Sequence, residues 1–516
     1  MTASSPKQSP AASASPRPPQ CPVRFGDPDA LARLFGPEAA EDPMGLYERL
    51  RARHGPVAPV MLDGDLPAWL VLGYREILEV VGTPSRFSRD SRTWRWFKEG
   101  RVPPGSPLLP MIAWQPVCLF LDGEERHRLR LALNVSLERF NRRGIRRHIT
   151  RFTHQLIDQF AERGEADLAA DFAEHLPMLV MTQLLGMPDA YGPRLVEASR
   201  DMVAGTETSV ASNEYIVETL QQLTRRKRKE PGEDATSWLI EHPSKLTDEE
   251  VWNHLRVILI AANETTVNLL KSTLRMVLTD PRCHASLAGG QMTLPDVVEQ
   301  VLWDEPPLMT IPGRWAAVDT EVGGQKIKAG DMLLLGLGAG NHDPSVRPDL
   351  SVPLHGNRSH LAFSSGPQEC PGQEIGRAIA DTGIDTLLTR LPDLQLTVPD
   401  EELQWKSGWM TRHLTSLPVK FTPPEPGTSP ESATSAAAPA ASAGTAVAGA
   451  AAGCPLGKLT DTDTDAGEGS DSGDEPSVPA QQTAEQTAQP TAAPPAAVPP
   501  ARTSWWDSLK AWLRRR

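Results

Sequence analysis

Ten residues, Phe363-Ser-Ser-Gly366-Pro-Gln-Glu-Cys370-Pro-Gly372, place a lone cysteine directly before a helix that the apolar spacing predicts from about Gln373 to Leu388. A sulfur at a helix start gains from the positive end of the helix dipole and from backbone N–H groups that lack partners within the helix. Both favour the thiolate, the form that binds metal. Gly366 and Gly372 let the backbone approach a bulky planar group closely. A lone cysteine in such a place is more often inert, so the surrounding pattern decides.

The other cysteines, Cys21, Cys118, Cys283 and Cys454, are scattered and form no C-x-x-C pair, which disfavours a disulfide framework or a cysteine-rich zinc site. A net charge of −13 argues against general nucleic-acid binding. No stretch reaches the ~20 uninterrupted apolar residues of a membrane span. Residues 1–20 carry no apolar signal core, so a cytoplasmic protein is expected.

Composition divides the chain. Residues 1–22 read as a disordered leader and 23–424 as one large domain with periodic apolar patterns. Residues 425–500 are a low-complexity linker that cannot bury enough apolar surface to offset chain entropy. The final segment, 501–516, puts Trp505, Leu509 and Trp512 on one helical face beside Arg514, Arg515 and Arg516. Such a segment suits docking on a partner or a membrane surface, or is simply a disordered tail.

Within the domain, helices dominate and strands are few. Asp42 opens a helix to His54 with Met44, Leu46, Tyr47 and Leu50 on one face, and residues 65–72 (DLPAWLVL) read as a strand. Helices are expected over 145–162, 170–186, 212–229, 247–279 and Pro295–Trp303, the last capped by Thr293 and stopped by Pro306-Pro307. Turns at Gly323-Gly324 and Ala329-Gly330 suggest hairpins between Ala316 and Leu337. The fold class is therefore mainly α with minor β.

The pattern F-x-x-G-x-x-x-C-x-G resembles the haem-binding loop of the cytochrome P450 family. The resemblance implies the P450 fold for this domain, haem b as cofactor, and Cys370 as axial iron ligand, with Phe363, Gly366, Gln368 and Gly372 around it. Thiolate donation in that family favours O–O cleavage. Ser364 stands where the family usually has Gly, and Gln368 where many bacterial members have His.

Other segments agree. Ala261-Ala-Asn-Glu264-Thr265-Thr in the long central helix is similar to the family's A-G-x-[D/E]-T-T, with Ala262 replacing Gly. The resemblance gives Thr265 the role of steadying bound oxygen and Glu264 that of relaying protons. A Thr can also bend a helix by bonding to a carbonyl one turn earlier. Asp122-Gly-Glu-Glu-Arg126-His-Arg-Leu-Arg130 resembles D-x-x-E-H-x-R-L-R, and Arg314 follows the Pro-rich turn, so Arg126, Arg130 and Arg314 are expected to contact the haem propionates. Phe87-Ser-Arg89 and Asn341-His-Asp-Pro344 match as well, extending the likeness over residues 40–422.

One feature departs. The family carries a Glu and an Arg three residues apart before the Pro turn, and their ion pair ties that helix to the meander preceding the cysteine loop. Aligned on Pro306-Pro307, those positions hold Gln300 and Trp303, as in an actinobacterial subgroup lacking the pair. An indole offers one N–H against the five of a guanidinium, which leaves Trp303 to hold the helix by apolar packing.

The resemblance implies a monooxygenase that inserts one oxygen atom into a small organic substrate, with electrons from an external ferredoxin and its reductase. The departures suggest, as the alternative, a non-enzymatic haem sensor or scaffold that recruits partners through its tail. Arg139, Arg142, Arg143, Arg146 and Arg147 form a basic run where the family docks acidic ferredoxins, or an ordinary solvated helix face. Two signals are set aside. Leu335-Gly-Leu-Gly-Ala-Gly340 lacks the long helix of a dinucleotide site, and the basic cluster Arg225–Lys229 reads as a solvated helix end.

Overall fold

In the computed structural model residues 31–424 are described, apart from residues 103–105, 107–108, 205–207, 282, 284–289, 291 and 355. They belong to one unit, Met1–Pro426. The leader 1–22 and the segments 425–500 and 501–516 lie outside the described residues.

Short apolar runs build the sheet. Strands β1 (Ala32–Arg33), β2 (Val57–Leu62), β3 (Leu66–Val71) and β4 (Phe87–Ser88) come early, followed by β5 (Glu165–Asp167). Later come β6 (Ile311–Ala316), β7 (Thr320–Val322), β8 (Gln325–Ile327) and β9 (Met332–Leu335). Six of them form a mixed sheet in the order β1-β2-β3-β9-β6-β4. Every residue of β2, β3 and β9 is buried, which is why these strands show no apolar–polar alternation. Gly323 and Gly324, both at positive φ (55° and 79°), close the β7–β8 hairpin.

Ala329-Gly330 does not close the second hairpin that the sequence predicts. Beyond this turn β9 pairs antiparallel with β6 and parallel with β3. Its Met-Leu-Leu-Leu is apolar on both faces and goes to the sheet interior, whereas β8 exposes Lys326.

The helices that position the site are α1 (Tyr74–Gly82), α2 (Gly123–Glu138), α3 (Arg142–Ile157), α4 (Asp248–Thr279), α5 (Leu294–Asp304), α6 (Leu337–Asn341) and α7 (Gln373–Arg390). Thr247 and Glu250 start α4 with reciprocal bonds: the Glu250 N–H donates to the Thr247 hydroxyl at 3.2 Å, and the Thr247 N–H to the Glu250 carboxylate at 2.8 Å. At the start of α5 the Asp296 carboxylate accepts both the Thr293 N–H at 2.9 Å and the Thr293 hydroxyl at 2.5 Å, and the helix ends before Pro306-Pro307 because the residue preceding a proline is pushed out of the helical region. The single helix expected over 170–186 is two pieces, Ala169–Ala173 and Leu176–Leu184. Pro177 has no N–H to donate one turn back, and the chain breaks there.

The main core joins Leu255, Leu259, Leu270 and Leu274 of α4 to Ile379, Ile384 and Leu387 of α7 and Phe152 and Leu156 of α3. Burial of each such side chain contributes roughly 2 kcal/mol. In α6, a Cβ on Gly338 would lie 2.8 Å from Met309 and one on Gly340 2.6 Å from Leu361. These glycines serve close packing, not a phosphate loop. The basic cluster ends a helix, with Lys227 paired to Asp234 at 2.6 Å and Arg228 to Asp248. Among the described residues no helix is long and apolar enough to cross a membrane.

Candidate functional site

The cysteine loop is fastened through its backbone. The Cys370 N–H donates to the Phe363 carbonyl at 2.9 Å, closing the loop on itself. The Leu361 N–H donates to Asn341 Oδ1 at 2.8 Å, and Asn341 Nδ2 donates to the carbonyls of Leu302 (2.9 Å) and Trp303 (3.1 Å). Those two carbonyls belong to the last turn of α5 and have no partner within the helix. Gly366 has φ 64°, and a Cβ there would lie 3.3 Å from the Val81 carbonyl of α1. Gly372 caps α7 at φ −98° with open space where a Cβ would be. Ser364 also adopts a positive φ, 58°, so the residue standing where the family has Gly keeps the glycine conformation. Gln368 is half-buried in the short turn Gly366–Gln368.

Cys118 and Cys283 are buried, whereas Cys370 is half-buried. Burial pushes the Cys370 thiol up, while the Gly372 N–H, Arg130 and Arg377 pull it down. The helix start therefore aids the thiolate, as the sequence suggests, without overcoming burial. Coordination to a metal removes such a proton outright.

Arginines gather around Asp122 at the start of α2. Arg314, on β6, is 3% exposed, and the hydrogen bond it makes is to its neighbour Gly313, at 3.2 Å. Arg126, on α2, has buried Nε and Nη2 atoms with no hydrogen-bond partner. Among the described residues no carboxylate lies within ion-pair distance of either. Burial and mutual repulsion with Arg89 and Arg126 hold Arg314 well below the ordinary guanidinium range, with only Asp122 opposing. Arg89, whose role the sequence did not reveal, is fully engaged: its Nε donates to Leu119 O (2.8 Å) and its Nη1 to Pro312 O (3.0 Å) and Gly313 O (2.6 Å). Arg130 instead ties α2 to the cysteine loop, donating to the Glu369 carbonyl and to Asn134 Oδ1 at 2.7 Å.

On α4, the Thr265 hydroxyl donates to the Ala261 carbonyl at 2.7 Å, the bond one turn back that the sequence suggests. Ala261 is exposed although it lies mid-helix, with buried Leu259 and Asn263 on either side. Burial pushes the Glu264 carboxyl up, against weaker help from Asn268 at 3.5 Å and from Lys271. Thr266 Oγ1 lies 3.9 Å from where a Cβ on Gly376 would be, so α4 approaches α7 at its first turn.

Gln300 and Trp303 both reach the meander before the loop. Gln300 Oε1 accepts the Leu354 N–H at 2.9 Å, and Trp303 Nε1 donates to the Asn357 carbonyl at 2.8 Å. Trp303 thus bonds the meander as well as packing, which corrects the purely apolar role expected of it. Their neighbour Glu299, which the sequence did not single out, is buried against Arg377 and His360.

The basic run after α2 is partly neutralised. Arg142 pairs with Glu374 (3.1 Å), Arg146 with Asp381 (3.4 Å), and Arg139 stacks on Trp238 at 4.6 Å. Arg142, Arg146, Arg358 and Cys370 line one cleft of about 570 Å³. On α2, Leu131 and Val135 are exposed at 44% and 38%.

Among the described residues no three His, Cys, Asp or Glu side chains converge on a metal position. Cys370 therefore serves a metal only if the remaining coordination arrives with the metal. An anionic macrocycle carrying its own nitrogens meets that need, and its carboxylates would meet the unpaired guanidiniums of Arg126 and Arg314. This is the chemistry of a haem-thiolate protein.

No family model matches the chain, but individual proteins do. Cytochrome P450 monooxygenase PikC of Streptomyces venezuelae is 32% identical over 403 residues, covering 75% of this chain and 93% of the relative. The 2-hydroxy-5-methyl-1-naphthoate 7-hydroxylase of Streptomyces carzinostaticus is 31% identical over 396 residues, 74% of this chain and 96% of the relative. Among solved structures, CYP154C4 from Streptomyces sp. W2061 superposes with a TM-score of 0.69 at 27% identity, covering 76% of this chain and 98% of that one. The chain belongs to the cytochrome P450 family, whose members are haem-dependent monooxygenases.

Proposed function

We propose that this chain holds haem b with Cys370 as the axial ligand and oxidises a small organic molecule with electrons from a separate ferredoxin and ferredoxin reductase. The observation that carries the reading is the guanidinium charge of Arg314 and Arg126 that no carboxylate among the described residues pairs, Arg126 standing one turn along α2 from the Arg130 that bonds the loop with the half-buried thiol. Arg126 and Arg314, with Arg130 adjoining, would bind the propionates. Phe363, Gly366, Gln368 and Gly372 shape the loop around the ligand.

Haem bound there supplies the oxygen-splitting redox chemistry. The protein's own residues supply order and protons. Thr265 is fixed by its bond to Ala261, so its oxygen presents acceptor lone pairs in a set direction. Glu264, pushed up by burial, keeps a proton nearer to neutral pH than an exposed carboxyl would, as a proton donor requires. The arginines of α3, with Leu131 and Val135 exposed on α2, suit an acidic electron carrier. Relatives named as a naphthoate hydroxylase and as a nocardicin C N-oxygenase support an organic scaffold as the substrate. Gln300 and Trp303 support placing the chain in the actinobacterial subgroup without the Glu/Arg pair.

Haem quantitation with a reduced carbon-monoxide difference spectrum tests this, wild type against Cys370→Ala. Stoichiometric haem with the thiolate-type band is expected in the wild type and loss of that band in the variant. Identical spectra for the two would remove Cys370 as the ligand.

A further inference from the structure

Glu299 lies on the buried face of α5 and is 3% exposed. A carboxylate so placed costs several kcal/mol unless it is paired. Three side chains meet it, two arginines and a histidine: Arg377 through Nε at 2.6 Å and Nη2 at 3.3 Å, His360 through Nε2 at 2.9 Å, and Arg358 through Nε at 3.4 Å. Burial works against the charge, but the bonds from His360 and Arg377 keep the carboxyl below its ordinary range.

The partners come from both ends of the cysteine loop. Arg358 and His360 enter it, and Arg377 stands in the second turn of the helix that leaves it. The Arg377 guanidinium also lies over the Phe363 ring at 4.6 Å, and Phe363 is the residue whose carbonyl takes the Cys370 N–H. His360 Nδ1 accepts the Ala362 N–H at 3.3 Å, fixing the backbone two residues further in. One carboxylate thus grips the start, the middle and the exit of the segment that carries the sulfur.

Neighbouring residues on a helix point about 100° apart. Gln300, the next residue, turns to the meander and accepts the Leu354 N–H, while Trp303, one turn on and within about 40° of Glu299, stands edge-on to the His360 ring at 6.1 Å and bonds the Asn357 carbonyl. We propose that Glu299, acting through His360 and Arg377, is the positioning residue that holds the Cys370 loop in its ligating conformation. The ionic anchor then stands one residue before the family's usual acid and grips the loop itself. This inference rests on the haem-thiolate reading.

The test uses the haem-loaded full chain as wild type, Glu299→Gln, Glu299→Asp and Trp303→Phe. Two quantities are read at a temperature well below unfolding: the share of the carbon-monoxide spectrum that is thiolate-type, and the rate of haem loss to excess apomyoglobin. Glu299→Gln is expected to lose most of the thiolate-type signal and to release haem about ten-fold faster, with Glu299→Asp restoring part of both. Trp303→Phe loses its bond to Asn357 and is expected to melt earlier while keeping the wild-type spectrum. Should Glu299→Gln be insoluble, Arg377→Lys must show the same spectral shift. A thiolate-type signal and haem-loss rate unchanged in Glu299→Gln, or in its Arg377→Lys substitute, overturn the proposal, and so does an equal shift in Trp303→Phe. A wild type with no thiolate-type band overturns the haem-thiolate reading instead, and this one with it.

Discussion

The Leu361 N–H bonds to Asn341, Arg377 covers Phe363, and Glu369 and Gly366 of the same loop touch α2 and α1. Four other elements thus fix the conformation of the Cys370 loop. The stretch Ala261–Thr266 of α4 differs. Thr265 bonds to its own helix, Glu264 has a long bond to Asn268 one turn on, and the buried Asn263 Oδ1 has no partner. A metal ligand has one correct position, so tertiary bonds can be committed to holding it. The proton delivery proposed for Glu264 and Thr265 needs side chains tied only along their own helix, and α4 supplies a rigid rod beneath them. Substitutions should therefore cost stability at the loop and function on the helix.

Asn341→Ala tests the loop side and should have the largest effect. The residue is fully buried, and its removal strands the Leu302 and Trp303 carbonyls and the Leu361 N–H. The expected loss is about 3 kcal/mol or more, read as a thermal midpoint roughly 5 °C lower. A midpoint within about a degree of wild type would mean that the loop is not held from α6.

Thr265→Ala tests the opposite side. It removes one bond within α4, so stability should move by less than about 0.5 kcal/mol. Product formed per electron pair consumed should nevertheless fall roughly ten-fold or more, the scale of a lost proton-transfer group. Large destabilisation with normal coupling would reverse the contrast.

Much of this division is legible in the amino-acid order, and the exceptions share a cause. The cysteine before a helix, the Thr247 cap and the polar Glu264-Thr265 within an apolar run all depend on neighbours in sequence. Glu299 escapes such reading because Glu299 and Gln300 are adjacent, and only the packing of Val298, Val301 and Leu302 settles which of them faces the loop. The bonds of Gln300 and Trp303 end on backbone atoms of Leu354 and Asn357, which no residue type announces. Arg89 likewise ends on three carbonyls. The second hairpin fails for a related reason, since β9 chooses its partners by the burial available in the finished sheet.

Ser364→Gly sharpens the loop side with a gain. Ser364 holds φ 58° and ψ −162°, a region close to glycine's own, and its buried hydroxyl has no partner. Glycine should relieve about 1 kcal/mol, raising the midpoint slightly and leaving the carbon-monoxide spectrum unchanged. No gain would show that the surrounding loop already absorbs the strain.

The smallest effect belongs to Glu264→Gln and lies in its pH dependence. Burial raises the Glu264 pKa in the folded state, so the native protein holds this proton to higher pH than the unfolded chain does. The resulting stabilisation is complete below the unfolded-state pKa and is lost as pH rises through the folded-state pKa. Glutamine mimics the protonated form at every pH and escapes that loss. The variant's midpoint should match wild type below the unfolded-state pKa and exceed it progressively as pH rises through the folded-state pKa, the gap levelling off once Glu264 is fully ionised. A gap that stays flat with pH would mean that Glu264 is solvated like a surface carboxylate, and α4 would then lack the reluctant acid on which its role in proton delivery depends.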